Sequence, residues 1–141
     1  MKAFLDTSVL VATFYGDHEH HDPSTELFLR YPKREACCAA HSLAEVFASL
    51  NGMPGKYRAS ADEAMLFVAN IRERLTIVAL TDEEYFRALE VSAAAGVLGG
   101  SIYDALLSHC ALKARAEHLY TWNVKHFKRV GADIAKRVIT P

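Results

Sequence analysis

Short apolar runs of strand length alternate along this chain with longer segments of helical periodicity. Most of these runs lack the polar alternation of a sheet with one solvated face, so they are typical of a parallel sheet covered by helices on both faces. The sequence therefore predicts an α/β fold with right-handed crossovers. The runs lie at residues 2–5, 36–40, 76–80 and 118–122, with residues 137–140 as a candidate fifth strand.

Capping sequences mark the starts of two helices. Ser60-Ala-Asp-Glu63 and Thr81-Asp-Glu-Glu84 each place a hydroxyl residue three positions before a glutamate, which is the pattern of a capping box. The segment that begins near Ser101 is apolar almost all round, which predicts a helix buried against the sheet. Because the chain has 141 residues, we expect one domain spanning residues 1–141.

Composition argues against several classes of protein. No apolar stretch reaches the roughly 20 residues that a membrane-spanning helix needs, and Asp6 interrupts the N-terminal run where a signal peptide would be continuous. Three cysteines without C-x-x-C spacing predict neither a disulfide framework nor a zinc site. The resulting expectation is a cytoplasmic protein that does not associate with membranes.

Four polar residues come just after predicted strands or early in the helices that follow them. Asp6 ends the first run, Glu45 lies one turn into the helix after the second, Asp104 lies at the start of the buried helix, and Asn123 follows the fourth run. In a parallel sheet these positions can converge at the carboxyl edge, where α/β proteins bind ligands. Carboxylates held close together repel unless they are protonated or bind a hard cation, so the pattern favours Mg²⁺ or Mn²⁺.

Each of these residues also has a structural interpretation. Glu45 and Asp104 would each complete a capping box, with Ser42 and Ser101 respectively. Asn123 would cap the short helix that follows it. Asp6 would likewise cap a helix that begins at Thr7 or Ser8. Either interpretation fits a single residue, but the convergence of all four favours a functional site.

The motifs around these residues resemble those of PIN-domain ribonucleases, and more narrowly those of VapC-type toxins of toxin-antitoxin pairs. Their order and spacing cover essentially the whole chain. The motifs are Phe4-Leu-Asp6-Thr-Ser8, Ser42-Leu-Ala-Glu45-Val, Ser101-Ile-Tyr-Asp104-Ala-Leu-Leu and Leu119-Tyr-Thr-Trp-Asn123-Val-Lys-His-Phe127.

The resemblance implies a PIN-like three-layer α/β/α sandwich with a central parallel sheet of four to five strands. It also implies an endoribonuclease in which Asp6, Glu45 and Asp104 hold one or two Mg²⁺ or Mn²⁺ ions, with Ser8 supporting Asp6 and Asn123 as a fourth catalytic residue. Cleavage would leave a 5′-phosphate and a 3′-hydroxyl. The chain departs from the family at His126, where a further acidic residue is often found, and this puts a second metal ion in doubt.

Basic residues near the predicted site are candidates for binding RNA phosphates. Residues 113–141 carry seven Lys and Arg against two acidic residues, although the whole chain has a net charge of only −1. The candidates are Lys125, Lys128, Arg129, Lys56 and Arg58.

Tyr57 and Trp122 are candidates for stacking on RNA bases, although core packing is favoured for Trp122. The segment Asp17-His-Glu-His-His-Asp22 has the composition of a metal cluster. Adjacent residues of a loop cannot all point inward, so we expect a loop and a helix start there.

The resemblance further implies a homodimer and a small antitoxin, with apolar helix faces at 24–30 and 42–50 as docking candidates. Two alternatives remain open. One is a catalytically weak PIN domain that binds RNA or protein, supported by Asn123 and His126. The other is an aspartate-based phosphotransfer domain, which also places an aspartate after a strand. Its phosphatase form would require a second aspartate two residues later, where this chain has Ser8.

Overall fold

A computed structural model describes residues 1–141 and contains one five-stranded, all-parallel sheet with strand order β3-β2-β1-β4-β5. The predicted α/β class and the candidate fifth strand are confirmed. The strands are β1 (Ala3–Leu5), β2 (Ala36–Ala39), β3 (Thr76–Val78), β4 (His118–Tyr120) and β5 (Val138–Ile139).

Eight α-helices connect and cover these strands. None of them is long and apolar enough to cross a membrane. They are α1 (Thr7–Phe14), α2 (His21–Arg30), α3 (Ala40–Asn51), α4 (Ala61–Arg74), α5 (Asp82–Ala94), α6 (Ser101–Lys113), α7 (Val124–Lys128) and α8 (Ala132–Ala135), and a 3₁₀ turn spans Gly55–Tyr57.

The two predicted capping boxes at Ser60 and Thr81 are both present, and they open α4 and α5. The alternative boxes are wrong. Helix α3 begins at Ala40, before Ser42, and α6 follows Gly100, so neither helix has a side-chain cap.

The sheet separates two apolar cores, because successive residues of a strand point to opposite faces. Leu5 and Cys38 face the core formed with α1, α2, α3 and α4. Phe4 and Cys37 face the other core, which α6, α7 and α8 cover. This is the expected three-layer arrangement of helices, sheet and helices.

The fourth strand is shorter than predicted and ends at Tyr120. Thr121 still donates its backbone N–H to Ile139 of β5, but Trp122 donates its N–H to the hydroxyl of Ser8 over 3.0 Å. The chain therefore leaves the sheet at Trp122, because its backbone N–H donates to the Ser8 side chain and not to a neighbouring strand.

Candidate active site

The four predicted polar residues line one cavity at the carboxyl edge of the sheet. Asp6 follows the central strand β1, Asn123 follows its neighbour β4, Glu45 lies on α3 directly after β2, and Asp104 lies in the first turn of α6. The cavity has a volume of about 460 Å³ and also includes Ser8. We call it the acidic cavity. The strand order thus brings together residues that are up to 117 positions apart.

Asp6 is the most deeply buried of the carboxylates, with only 2% of its surface exposed. Three hydrogen bonds reach its Oδ2, from Ser8 N–H over 3.3 Å, Ser8 Oγ over 2.7 Å and Thr121 Oγ1 over 2.8 Å. Burial raises the pKa of Asp6, and these hydrogen bonds oppose the rise only in part. Because the bonds converge on Oδ2, Oδ1 is the oxygen that remains for a ligand.

The two hydroxyls that hold Asp6 are themselves held by the backbone after β4. Trp122 N–H donates to Ser8 Oγ over 3.0 Å, and Asn123 N–H donates to Thr121 Oγ1 over 2.9 Å. Each hydroxyl therefore accepts from one backbone group and donates to the carboxylate. This network fixes the position of Asp6 relative to the segment that carries Asn123.

Glu45 is held by a different hydroxyl residue. Thr7 Oγ1 lies 3.0 Å from Glu45 Oε1 and 2.9 Å from Ser42 Oγ, so its single proton can reach either acceptor. His41 Nε2 lies 3.9 Å from the same glutamate oxygen. Residues next to Asp6 and at the start of α3 thus orient Glu45 toward the cavity.

Asp104 interacts with the other carboxylates electrostatically. Its pKa is raised by partial burial, then by Asp6 and to a smaller extent by Glu45, while His126 lowers it. His126 Nδ1 lies 3.7 Å from Asp104 Oδ2. Because the two neighbouring carboxylates raise the pKa of Asp104, a cation in the cavity would stabilise its ionised form.

The donor set of the acidic cavity suits a hard divalent cation. Carboxylate and amide oxygens are the ligands that Mg²⁺ and Mn²⁺ prefer. No three His, Cys, Asp or Glu side chains lie close enough together to form a complete metal-binding group, so the carboxylates share a cavity without meeting at one point. Glu45 and Asp104 are partly exposed, so a cation that enters the cavity can reach their carboxylates.

Comparison with known proteins identifies the family to which this arrangement belongs. The model of the PIN domain family matches residues 3–133. This chain is a member of the PIN-domain family. It is 32% identical over 114 residues to ribonuclease VapC27 of Mycobacterium tuberculosis strain H37Rv, covering 80% of this chain and 79% of that one. It is also 32% identical to ribonuclease VapC40 of M. tuberculosis strain CDC 1551, covering 81% of each chain.

Solved structures support the fold of this PIN domain. The crystal structure of M. tuberculosis VapC20, described as a toxin that cleaves the sarcin-ricin loop, matches with a TM-score of 0.72 at 18% identity, over 89% of this chain and 92% of that one. VapBC2 from Rickettsia felis, bound to a DNA fragment from its promoter, matches with a TM-score of 0.66 at 18% identity, over 99% and 98%. The predicted family and fold are both confirmed.

Asn123 occupies the N-cap position of α7 in this PIN domain, but its side chain makes no capping hydrogen bond. The alternative prediction, that the Asn123 side chain caps the following helix, is therefore wrong. The side chain is exposed and lines the acidic cavity. Its carbonyl and amino groups are available to a ligand or a water molecule.

The candidate RNA-binding residues lie in two regions of the PIN domain. Lys125 lines a shallow cavity beside Asn123, and Arg129 lines a separate cavity beside Asp104, whereas Lys128 is exposed on α7. Lys56 Nζ lies 5.2 Å from the centre of the Tyr57 ring. Arg58 donates its Nε–H to the Met53 carbonyl over 2.8 Å.

Sequence reasoning missed three hydroxyl residues of this site. Thr7 contacts Glu45, Thr121 contacts Asp6, and Ser42 contacts Thr7 rather than capping α3. Their signal was weak because hydroxyl residues are common at strand and helix ends for structural reasons alone. The one available indication is that each lies within five residues of the carboxyl end of a strand.

We expect Thr121→Val to destabilise the protein by about 1.5–3 kcal/mol, because it removes a hydrogen bond to a buried carboxylate and leaves a backbone donor without its acceptor. Thr25→Val is the matched control, since the Thr25 hydroxyl is buried without a partner. Chemical denaturation of both variants measures the difference. A loss of stability in Thr25→Val equal to that in Thr121→Val would contradict the importance assigned to the Asp6 network.

Proposed function

We propose that this PIN domain is a metal-dependent endoribonuclease and the toxin of a type II toxin-antitoxin pair. The observation that carries the proposal is the convergence of Asp6, Glu45, Asp104 and Asn123 on one cavity at the carboxyl edge of the sheet. Family membership supports it, because nucleases of the PIN family are generally metal-dependent and the relatives at 32% identity are named ribonucleases. We further propose that residues 1–141 act as one domain.

In this proposal Asp6, Glu45 and Asp104 hold one or two Mg²⁺ or Mn²⁺ ions. When bound, the metal would neutralise charge on the scissile phosphate and lower the pKa of the attacking water. Asp6 offers a fixed oxygen because Ser8 and Thr121 hold its other oxygen. Asp104 and Glu45 supply the more exposed carboxylates.

Asn123 would orient the attacking water, since its amide is exposed in the cavity and has no structural hydrogen bond. The amide also cannot act as a strong base, so its part is positioning. The products would be a 5′-phosphate and a 3′-hydroxyl.

Basic side chains would bind the phosphates on either side of the cut. Lys125 and Arg129 line cavities that adjoin the acidic cavity, and Lys128 lies on the same helix as Lys125. Lys56 and Arg58 lie on and just after the 3₁₀ turn. Such contacts supply the sequence-independent part of RNA affinity.

We also propose an antitoxin partner, a homodimer and a cytoplasmic location. The antitoxin is supported by the similarity in fold to R. felis VapBC2. The helix faces at 24–30 and 42–50 stay candidates for docking. The phosphotransfer alternative gains no support from family membership, whereas a catalytically weak PIN domain remains the contrasting outcome because His126 stands beside Asp104.

Mapping of cleavage ends on total RNA tests the proposal. We expect the purified protein to produce discrete cuts with 5′-phosphate ends in Mg²⁺ or Mn²⁺, and none in EDTA. Cuts that persist in EDTA would refute metal dependence. Metal-dependent binding of RNA without any cut would favour the catalytically weak alternative.

A further inference from the structure

Five rings form a continuous row that leads to the acidic cavity. Neighbouring centroids lie 5.9 Å apart for Tyr57 and Tyr15, 6.2 Å for Tyr15 and His18, 5.6 Å for His18 and His20, and 3.7 Å for His20 and Trp122. The last pair is stacked, with an angle of 9° between the ring planes. We call these five residues the ring row.

The ring row belongs to the border of the acidic cavity. His18, His20 and Trp122 line the cavity together with Asp6. The indole Nε1–H of Trp122 donates to the buried hydroxyl of Ser24 over 2.9 Å, which fixes the orientation of the ring. The same residue binds Ser8 through its backbone, so the end of the row is attached to the network that holds Asp6.

Positive charge lies at both ends of the ring row. Tyr57 exposes 49% of its surface and is flanked by Lys56 and Arg58, while Lys125 lines a shallow cavity with Trp122 at the opposite end. Tyr57 is the exposed ring of the row, and the other four rings are partly buried. Aromatic rings interleaved with basic side chains are characteristic of surfaces that bind single-stranded nucleic acid, where bases stack on rings and cations contact phosphates.

One acidic residue accompanies the row. Glu19 Oε1 lies 3.4 Å from His20 Nε2, and Glu19 also lines the cavity. A carboxylate therefore lies beside the end of the row that borders the cavity. The contribution of the row to binding would come from the ring faces that contacts within the row leave uncovered, because any base can stack on a ring.

We propose that the ring row binds unpaired bases of the RNA strand whose phosphate enters the acidic cavity, an inference that rests on the proposed ribonuclease function. Bases in a duplex are covered on both faces by their neighbours, so stacking on protein rings requires unpaired nucleotides. The nucleotides on one side of the cut would follow the row from Trp122 toward Tyr57. This gives a function to the His-rich segment, for which the sequence predicted only a loop and a helix start.

Binding of a single-stranded uridine dodecamer, measured by fluorescence anisotropy, tests this role. The Asp6→Asn background prevents cleavage during the measurement. We expect Tyr57→Leu to weaken binding on the order of 5- to 100-fold, the effect of losing one base stack. Tyr57→Phe should restore binding. Tyr85→Leu is the matched control, because Tyr85 is exposed to 44% on α5, outside the row, and it should bind as the background does.

The fluorescence of Trp122 provides a second readout, since it is the only tryptophan in the chain. The uridine dodecamer should quench its emission, and a blunt RNA duplex of 12 base pairs should not. Equal affinities of Tyr57→Leu and Tyr85→Leu would overturn the inference. It would also be overturned by a duplex that binds as tightly as the dodecamer with the same quenching.

These outcomes separate the inference from the proposed function. If the wild-type protein cuts total RNA but the Tyr57 and Tyr85 variants bind the dodecamer alike, the ring row fails and the ribonuclease proposal stands. If Tyr57→Leu selectively loses binding but the wild-type protein cuts no RNA, the ring row stands as an RNA-binding surface and the proposal of cleavage fails.

Discussion

Asp6→Asn is expected to reduce metal-dependent RNA cleavage by at least about 100-fold, because loss of a direct ligand should exceed the 10- to 100-fold cost of losing a residue that only supports one. The substitution keeps the size of the side chain and removes its charge. Cleavage of total RNA by the purified protein measures the effect. Cleavage at the wild-type rate would refute the assignment of Asp6 to the metal site.

The matched control is Asp133→Asn. Asp133 lies on α8, its side chain is 77% exposed, and it pairs only with Lys136. This variant should cut RNA as the wild type does. Calorimetric titration with Mn²⁺ adds a readout that does not depend on RNA: the wild type and Asp133→Asn should bind the ion, and Asp6→Asn and Asp104→Ala should bind it much more weakly.

Loss of activity in Asp6→Asn should not result from unfolding. Burial raises the pKa of Asp6 above its ordinary value of 3.8, so at pH 7 the carboxyl group lowers the stability of the metal-free folded state, whether it stays ionised or takes up a proton. The neutral amide of asparagine avoids this cost. In EDTA at pH 7 we therefore expect Asp6→Asn to melt at or above the wild-type temperature. The difference should shrink as the pH falls through the raised pKa of the folded state, and it should vanish below 3.8, where the wild-type carboxyl is protonated in both states.

Phe127→Ala is expected to lower the free energy of unfolding by about 3–5 kcal/mol, the usual cost of removing a buried phenyl ring. Phe127 is fully buried on α7 and packs in the core between the sheet and helices α6 and α8. For a chain of this size the melting temperature should fall on the order of 10 °C. Because α7 follows directly on Asn123, we also expect weaker cleavage by the molecules that remain folded.

Phe86→Ala is the control for that experiment, since Phe86 lies on α5 and is 64% exposed. The same atoms are removed, but the change in stability should stay within about 0.5 kcal/mol. Denaturation in urea followed by circular dichroism compares the two variants. Equal destabilisation would mean that the core under α7 is not packed as the structure describes.

Much of the fold could be predicted because its signals are local. The runs at residues 36–40 and 76–80 are short, apolar and separated by helical segments, and a sheet buried on both faces requires this pattern. The capping boxes at Ser60 and Thr81 likewise act within four residues. The end of β4 could not be predicted, because it depends on a hydrogen bond between Trp122 and Ser8, which are 114 positions apart.

The residues of the site likewise divide into those that the sequence indicates and those that only the tertiary structure reveals. Its first carboxylate was identifiable because a charged residue at the end of an apolar run requires compensation, and the other two because they lie early in predicted helices. Thr7 and Thr121 were not, since a neutral hydroxyl needs no compensation and its partners are set by tertiary structure. His18 and His20 suggested a metal cluster by composition, but the structure places their rings in a row with Trp122, a contact that composition cannot indicate.

The hydrogen bond between Thr121 and Asp6 also affects when the site can form during synthesis. It joins residues 115 positions apart, and β1 needs β4 as one of its two neighbours in the sheet. A nascent chain on the ribosome carries Asp6 and Ser8 from the start but cannot complete the network around Asp6 until nearly the whole sequence has emerged. Chains that end between Asp104 and β4 would therefore carry all three carboxylates and lack the strand and one of the two hydroxyls that position Asp6, so termination in this interval should yield inactive fragments.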